Sequence, residues 1–275
     1  MMIPSGQEQE PLRVEVQDSI AILMLNTPQK RNLLSREMLG CLKQQLTRIA
    51  GDPEVRAVVL RAAGSAFSAG HDLREIIAAG EQENRSLFAL CTEVMESIRQ
   101  LPQPVIAAVQ GIATAAGCQL AASCDLVMAA ESASFATPGV KIGLFCSTPA
   151  VAVSRAVPQK KAMEMLLTGE PISAHEAARI GLVNRVVPDD RLDEEVMRWA
   201  RQIITANADM LGIGKRTFYE QLSLDHAAAY ELTERVMVQN AQSSNAQQGM
   251  RAFLERKMKA EGIEEKDEGG RMKDE

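Results

Sequence analysis

The sequence predicts an α/β fold, built as a mostly parallel sheet or a spiral of β-β-α units and closed by a run of helices. Three observations predict it. Short apolar runs recur at 57–62, 105–111 and 126–131, alternating with helical patterns, and runs of that length read as buried strands. Small residues crowd the segments that follow the first two runs. From about residue 157 the strand pattern gives way to successive helical ones.

Taken in order, residues 12–25 (LRVEVQDSIAILML) alternate and then run apolar around a polar turn at Gln17-Asp18-Ser19, which reads as a β-hairpin. TPQKRN follows as a loop, and Ser35 is placed to cap a helix running to about Ile49. AVVLRA (57–62) is a buried strand, GSAFSAGHD a loop, and a helix starts at Leu73. A second helix covers roughly 84–100 and stops before Leu101-Pro102-Gln103-Pro104. VIAAVQG (105–111) is a strand, IATAAGCQLAASCD has helix-like small-residue packing, and LVMAAE (126–131) is again a strand. Beyond 157, KKAMEMLLTG, SAHEAARIG and DEEVMRWARQIITANA are helical, with GLVNRVV (181–187) a single strand among them. Helices are expected at 209–222, 227–242 and 245–259, with Met, Leu, Val and Phe at spacings of three and four that need covering by this chain or by another subunit. Residues 261–275 are charged and are expected to be disordered.

Bulk properties narrow the function classes. The chain has 275 residues, 46% apolar and 24% charged, with a formal net charge of -6. That is enough chain for a substantial core. The acidic balance argues against nucleic acid as a partner. No apolar stretch is long enough to span a membrane, and residues 1–16 lack both a signal core and the Arg-rich, acid-poor character of a transit peptide, so a cytoplasmic protein is expected. The five cysteines, at 41, 91, 118, 124 and 146, show no CxxC and read as buried reduced thiols. The three histidines, at 71, 175 and 226, show no metal-ligand spacing.

Two segments carry candidate chemistry: FSAGHDL (67–73) and VQGIATAAGCQLAASCD (109–125). Each places small residues where a strand hands over to a helix. Main-chain N–H groups there are unpaired and lie at the positive end of the helix dipole. Two such groups converging on one point make an oxyanion hole. Small residues at such junctions also serve close packing alone, so spacing leaves both readings open.

The order PQKRNLLS, FSAGHDL, 111–125, FATPGVKIGL, LLTGEPISAHEAARIGLVNRVVP and GMRAFLERK resembles the crotonase (enoyl-CoA hydratase/isomerase) superfamily over about 12–260. The resemblance implies a crotonase (ClpP-like) spiral core at 12–195 and a C-terminal helical trimerisation region at 196–260, with flexible tails at 1–11 and 261–275. It also implies a homotrimer or dimer of trimers that binds acyl-CoA thioesters, with no cofactor beyond the coenzyme A of the substrate. It makes the amides of His71 and Ala116 the oxyanion donors. Ala69, His71 and Leu73 would line the CoA pocket, Gln29, Lys30 and Arg31 would meet the CoA phosphates, and Arg256 would reach the nucleotide. Asp72 is expected to cap the helix from Leu73.

The chain departs from this pattern where hydration is performed. Hydratases of the superfamily use two glutamates. The first position is Gln119, which cannot exchange a proton near neutral pH, and the second is Gly139, which has no side chain. Glutamates restored at both would be expected to raise hydration. Ser-Ala-Gly-His-Asp also resembles methylmalonyl-CoA decarboxylase members, but their tyrosine position is Cys146 here. Cys146 is read as substrate-touching or as buried filler. The combined pattern most resembles the enoyl-CoA hydratase domain-containing protein 3 group, which lacks both glutamates. An enolate-stabilising acyl-CoA enzyme, a malonyl-type acyl-CoA decarboxylase and a non-catalytic acyl-CoA binder remain open; no Ser/His/Asp set supports a protease.

Overall fold

The computed structural model describes residues 10–260. β1 (Leu12–Gln17) and β2 (Ile20–Leu25) form the expected hairpin, with Gln17 opposite Ile20. Asp18 and Ser19 both take positive φ, the requirement of a two-residue type I′ turn. α1 (Arg36–Ala50) is capped by Ser35, whose Oγ accepts from Met38 N at 3.2 Å.

Three repeats follow. In each, one strand enters a large sheet, a three-residue strand enters a small one, and a helix closes the turn. The first is β3 (Ala57–Ala62), β4 (Ala66–Ser68), α2 (Leu73–Ala78) and α3 (Glu81–Gln100). The second is β5 (Val105–Val109), β6 (Ile112–Thr114) and α4 (Ala116–Ser123). The third is β7 (Leu126–Ala130), β8 (Ser134–Ala136), a 3-10 turn (Pro138–Ile142) and α5 (Ser147–Ala156). This is the expected β-β-α spiral. After it come α6 (Gln159–Thr168), β9 (Ile172–Ser173), α7 (Ala174–Arg179), β10 (Arg185–Val187), α8 (Leu192–Ile203), α9 (Ala208–Gln221), α10 (His226–Ala241) and α11 (Ser244–Ala260).

The large sheet runs β1-β2-β3-β5-β7-β10, parallel from β2 onward; the small one runs β4-β6-β8-β9. Helices cover both faces of the large sheet, which explains why β3, β5 and β7 read as apolar runs, with Arg61 near the end of β3 the exception. Val58, Leu60, Ala107 and Val109 face the main core with α1, α3 and α4. Their alternating neighbours Ala57, Val59, Ile106 and Ala108 face Leu192, Val196 and Trp199 of α8.

Several expectations are corrected. Residues 66–68, expected in a loop, are β4, and the helix-like stretch from 112 splits into β6 and α4. Three residues are too few to show a period of two. The helix expected from 84 begins at Glu81, where the Glu83 carboxylate caps Gly80 N at 2.7 Å. The strand expected over 181–187 shrinks to Arg185–Val187. The tail expected to be disordered, 261–275, lies outside the described residues. Two compact units form, one ending at Arg216 and the other beginning at Thr217.

Candidate active site

Gly70 and Ala115 build the centre of the site. Gly70 takes φ +86 just past the end of β4. A Cβ there would lie 3.0 Å from Ala115 Cβ, 3.1 Å from Thr114 O and 3.2 Å from Ala116 N. The 69–71 backbone therefore runs directly against the 114–116 backbone, an approach only glycine permits. Across the same seam, a Cβ on Gly117 would meet Ser68 O at 2.3 Å. Ala115 adopts φ 52 and ψ -119 as the residue before α4, a conformation that costs an L-residue on the order of 1–3 kcal/mol. Its own N–H is held by Ala136 O at 2.9 Å. This turn leaves Ala116 as the first residue of α4, with its N–H at the positive end of the helix. Among the described residues, neither His71 N–H nor Ala116 N–H donates a hydrogen bond within the protein.

The His71 ring is engaged elsewhere. Nδ1 lies 3.0 Å from Leu34 O, and because a carbonyl only accepts, the proton sits on Nδ1. Nε2 is buried without a partner, and Phe88 packs edge-on at 5.4 Å. Burial lowers the imidazole pKa below its usual value, which favours the neutral ring. Asp72 caps α2, accepting from Arg74 N at 2.9 Å, and also accepts from the Arg74 guanidinium; these bonds hold its carboxyl below the usual range.

A cavity of about 410 Å³ opens beside these amides. Of the residues expected from sequence, Ala69, His71, Leu73, Ala116, Gly139 and Cys146 line it together. Gln119 does not: it is 4% exposed within α4, and its Oε1 has no partner. Gln29, Lys30 and Arg31 form an exposed turn that leads into the 31–34 segment packed on the cavity loop. Arg256 is exposed on α11, its Nε donating to Ala252 O.

Gly139 is more than an absent side chain. A Cβ there would lie 1.9 Å from Leu144 O and 2.8 Å from Cys146 Sγ. Leu144 N–H donates to Gly139 O at 2.9 Å and Gly139 N–H to Cys146 Sγ at 3.3 Å, closing 139–146 into a tight loop. The backbone has taken the place of the side chain, so the expectation that a restored glutamate fits here is withdrawn. Burial raises the pKa of the Cys146 thiol, which therefore stays protonated at neutral pH.

Sequence reading missed Phe88, Thr114, Lys141 and Phe145, which also line the cavity. Phe88 is one apolar residue among many on α3, and nothing in its spacing marks it. The run VKIGLF around Lys141 and Phe145 carries the better signal, because large apolar residues sit next to Gly143 in a stretch with no strand or helix period. Among the described residues, no group of three metal-ligating side chains occurs and no helix is long and apolar enough to cross a membrane.

Comparison with known proteins places this geometry. A family model described as enoyl-CoA hydratase/isomerase matches residues 15–261. The mitochondrial enoyl-CoA hydratase domain-containing protein 3 of Rattus norvegicus is 46% identical over 257 residues, which cover 92% of this chain and 86% of that protein. The crystal structure of an enoyl-CoA hydratase from Mycobacterium smegmatis superposes with a TM-score of 0.88 at 46% identity, covering 90% of this chain and 96% of that one. The human enoyl-CoA hydratase domain-containing protein 3 structure gives 0.87 at 47% identity, covering 90% and 98%. The mitochondrial designation of the rat protein overturns the cytoplasmic location expected from the N-terminal residues. With the match running from within β1 to the end of α11, the chain belongs to the enoyl-CoA hydratase/isomerase family.

Proposed function

We propose that the cavity binds an acyl-CoA thioester with its carbonyl oxygen between His71 N–H and Ala116 N–H, and that an enolate is stabilised there without a glutamate pair. The observation that carries this reading is two unengaged amides, one of them at a helix N-terminus, on backbone segments that pack directly against each other at the cavity. Charge on the thioester oxygen grows as an enolate forms. Donors already aimed at it need no reorganisation, and removal of one typically costs about 10²–10³ in rate. The exposed Gln29, Lys30 and Arg31 turn supplies two cations for the CoA phosphates. No cofactor is required beyond the coenzyme A of the substrate.

Proton transfer is the missing part. The Gln119 amide cannot exchange a proton, Gly139 offers none, and the His71 Nδ1 proton is committed to Leu34 O. Efficient hydration by the two-glutamate route is therefore not this chain's reaction. The same poverty favours decarboxylation of a malonyl-type thioester as a second reading. There the C–C bond breaks, CO₂ leaves and the electron pair passes to the carbonyl oxygen in the hole, with no base needed for that step.

The test mixes the protein with short 2-enoyl-CoA and malonyl-type CoA esters and follows the thioester by absorbance and mass. Turnover that Ala116→Pro lowers by about 10²–10³ supports the enzyme. Thermal stabilisation by CoA esters without turnover identifies a binder instead. A folded protein that neither binds nor turns over any of these esters overturns both.

A further inference from the structure

We propose that the His71 imidazole is the positioning group of the hole: it ties the peptide presenting His71 N–H to the 31–34 segment, so that ligand occupancy of the basic 29–31 turn tightens the grip on the carbonyl. The inference rests on the hole proposed above and extends it to the coupling between the two ends of the ligand.

Residues 31–34 and 68–71 lie side by side, joined by a ladder of hydrogen bonds. Ala69 N–H donates to Arg31 O at 3.0 Å, Ser68 Oγ to Asn32 O at 2.8 Å, and Leu34 N–H to Gly70 O at 2.8 Å. The last rung is His71 Nδ1–H to Leu34 O at 3.0 Å. Leu34 thus holds the hole peptide from both sides, through its N–H to Gly70 O and through its O to the ring of His71. The other end of the ladder is equally fixed. Asn32 is fully buried at φ 52; its Nδ2 donates to Ala63 O and Ala66 O, each at 2.8 Å, and its Oδ1 accepts from Thr27 N at 2.9 Å. The exposed cationic turn joins this frame directly, since Arg31 carries both the guanidinium and the carbonyl that receives Ala69 N–H.

The His71 rung is the one that belongs to the hole residue itself. Its ring spans from the residue that presents the N–H to the segment that carries the turn. Nε2 makes no hydrogen bond, so replacing the ring removes one bond and no other. Phe88 closes the ring in from the side and limits the alternatives open to it. A group held this way acts through the main chain: it sets the direction of an N–H and exchanges no proton.

Carbonyl polarisation reads the hole without requiring turnover. The probe is trans-cinnamoyl-CoA carrying ¹³C at its carbonyl, bound at saturation, with the carbonyl stretch followed by infrared difference spectroscopy. Wild type shifts the stretch to lower frequency. His71→Asn, whose side-chain amide can still donate to Leu34 O, is expected to retain the shift. His71→Leu is expected to lose most of it and to bind about tenfold more weakly, the scale of one hydrogen bond. A second measurement uses wild type alone: cinnamoyl-pantetheine, which lacks the nucleotide, is expected to shift less than cinnamoyl-CoA. A full shift in folded His71→Leu, or equal shifts for the two esters in wild type, overturns the inference. If Ala116→Pro abolishes the shift while His71→Leu keeps it, only this inference fails. If both variants keep it, the hole itself is wrong.

Discussion

A side chain at position 139 has no room, and this decides what can be restored in the site. The Cβ of any residue there would sit 1.9 Å from Leu144 O, a main-chain atom fixed by the bond from Leu144 N–H back to Gly139 O. Even one methyl must push the 139–146 loop open, and overpacking of this kind costs typically about 1–3 kcal/mol. Gly139→Ala is therefore expected to destabilise the fold by an amount in that range, read as a lower urea midpoint at unchanged slope, while Gly139→Glu yields no hydratase even beside Gln119→Glu. Gly40 supplies the internal comparison. It lies inside α1 with nothing within 4 Å of its missing Cβ, so Gly40→Ala is expected to stabilise by about 0.5–1 kcal/mol. Equal midpoints for Gly139→Ala and the parent would show that the loop yields freely. The sequence gives the glycine but not its cause. The absence of a glutamate is visible at position 139, whereas the carbonyl occupying its place comes from five residues further on.

At the level of elements, a buried ion pair fastens α9 to the sheet. Lys215 Nζ lies 2.6 Å from Asp125 Oδ2, with side chains 7% and 14% exposed. Nζ also donates to Ile98 O and Gln103 O, at 2.8 and 3.0 Å, and Asp125 Oδ2 accepts from Val105 N at 2.7 Å. One ammonium thus joins the end of α3, the approach to β5 and the residue before β7. Burial pulls the Lys215 pKa down, and the Asp125 carboxylate partly offsets this. Lys215→Met removes the partner of a buried carboxylate and is expected to destabilise by about 3–5 kcal/mol, with Lys215→Met/Asp125→Asn recovering part of the loss, both read by chemical denaturation. A single variant within 1 kcal/mol of the parent, or a double variant no better than the single, would show that the pair carries little. Elements such as these differ in how far sequence reveals them. β3, β5 and β7 were legible because burial on both faces leaves them apolar but for Arg61 near the end of β3. β4, β6 and β8 were not, since each has three residues amid glycines and alanines; α5 was hidden by Pro149 and by the glycine-rich loop before it. The two segments of the proposed hole were nevertheless visible, because close backbone approach demands small residues whatever the strand length. The Lys215–Asp125 pair spans ninety residues and left no local mark.

On the scale of the whole molecule, the unit from Thr217 onward carries large apolar side chains that its own helices leave exposed. α10 buries Leu232, yet Met237 is 68% exposed, and on α11 Phe253 is 62% exposed. Tyr230, Val238 and Leu254 are exposed with them. Contiguous apolar surface on a folded protein marks a binding face, and the default occupant for a chain of this kind is another copy of itself. The spacing of three and four in these helices was readable from sequence; the identity of what covers them was not, because amphipathicity says only that one face is dry. Assembly as a trimer or dimer of trimers is the reading we favour. Sedimentation equilibrium is expected to give the mass of three or six chains at micromolar concentration. The double variant Met237→Glu/Phe253→Glu places charges on that face and is expected to shift the population to single chains. A wild-type protein that sediments as a monomer at all concentrations, or a double variant that keeps the parent's mass, would remove these helices as the assembly surface and require another partner for their apolar side chains.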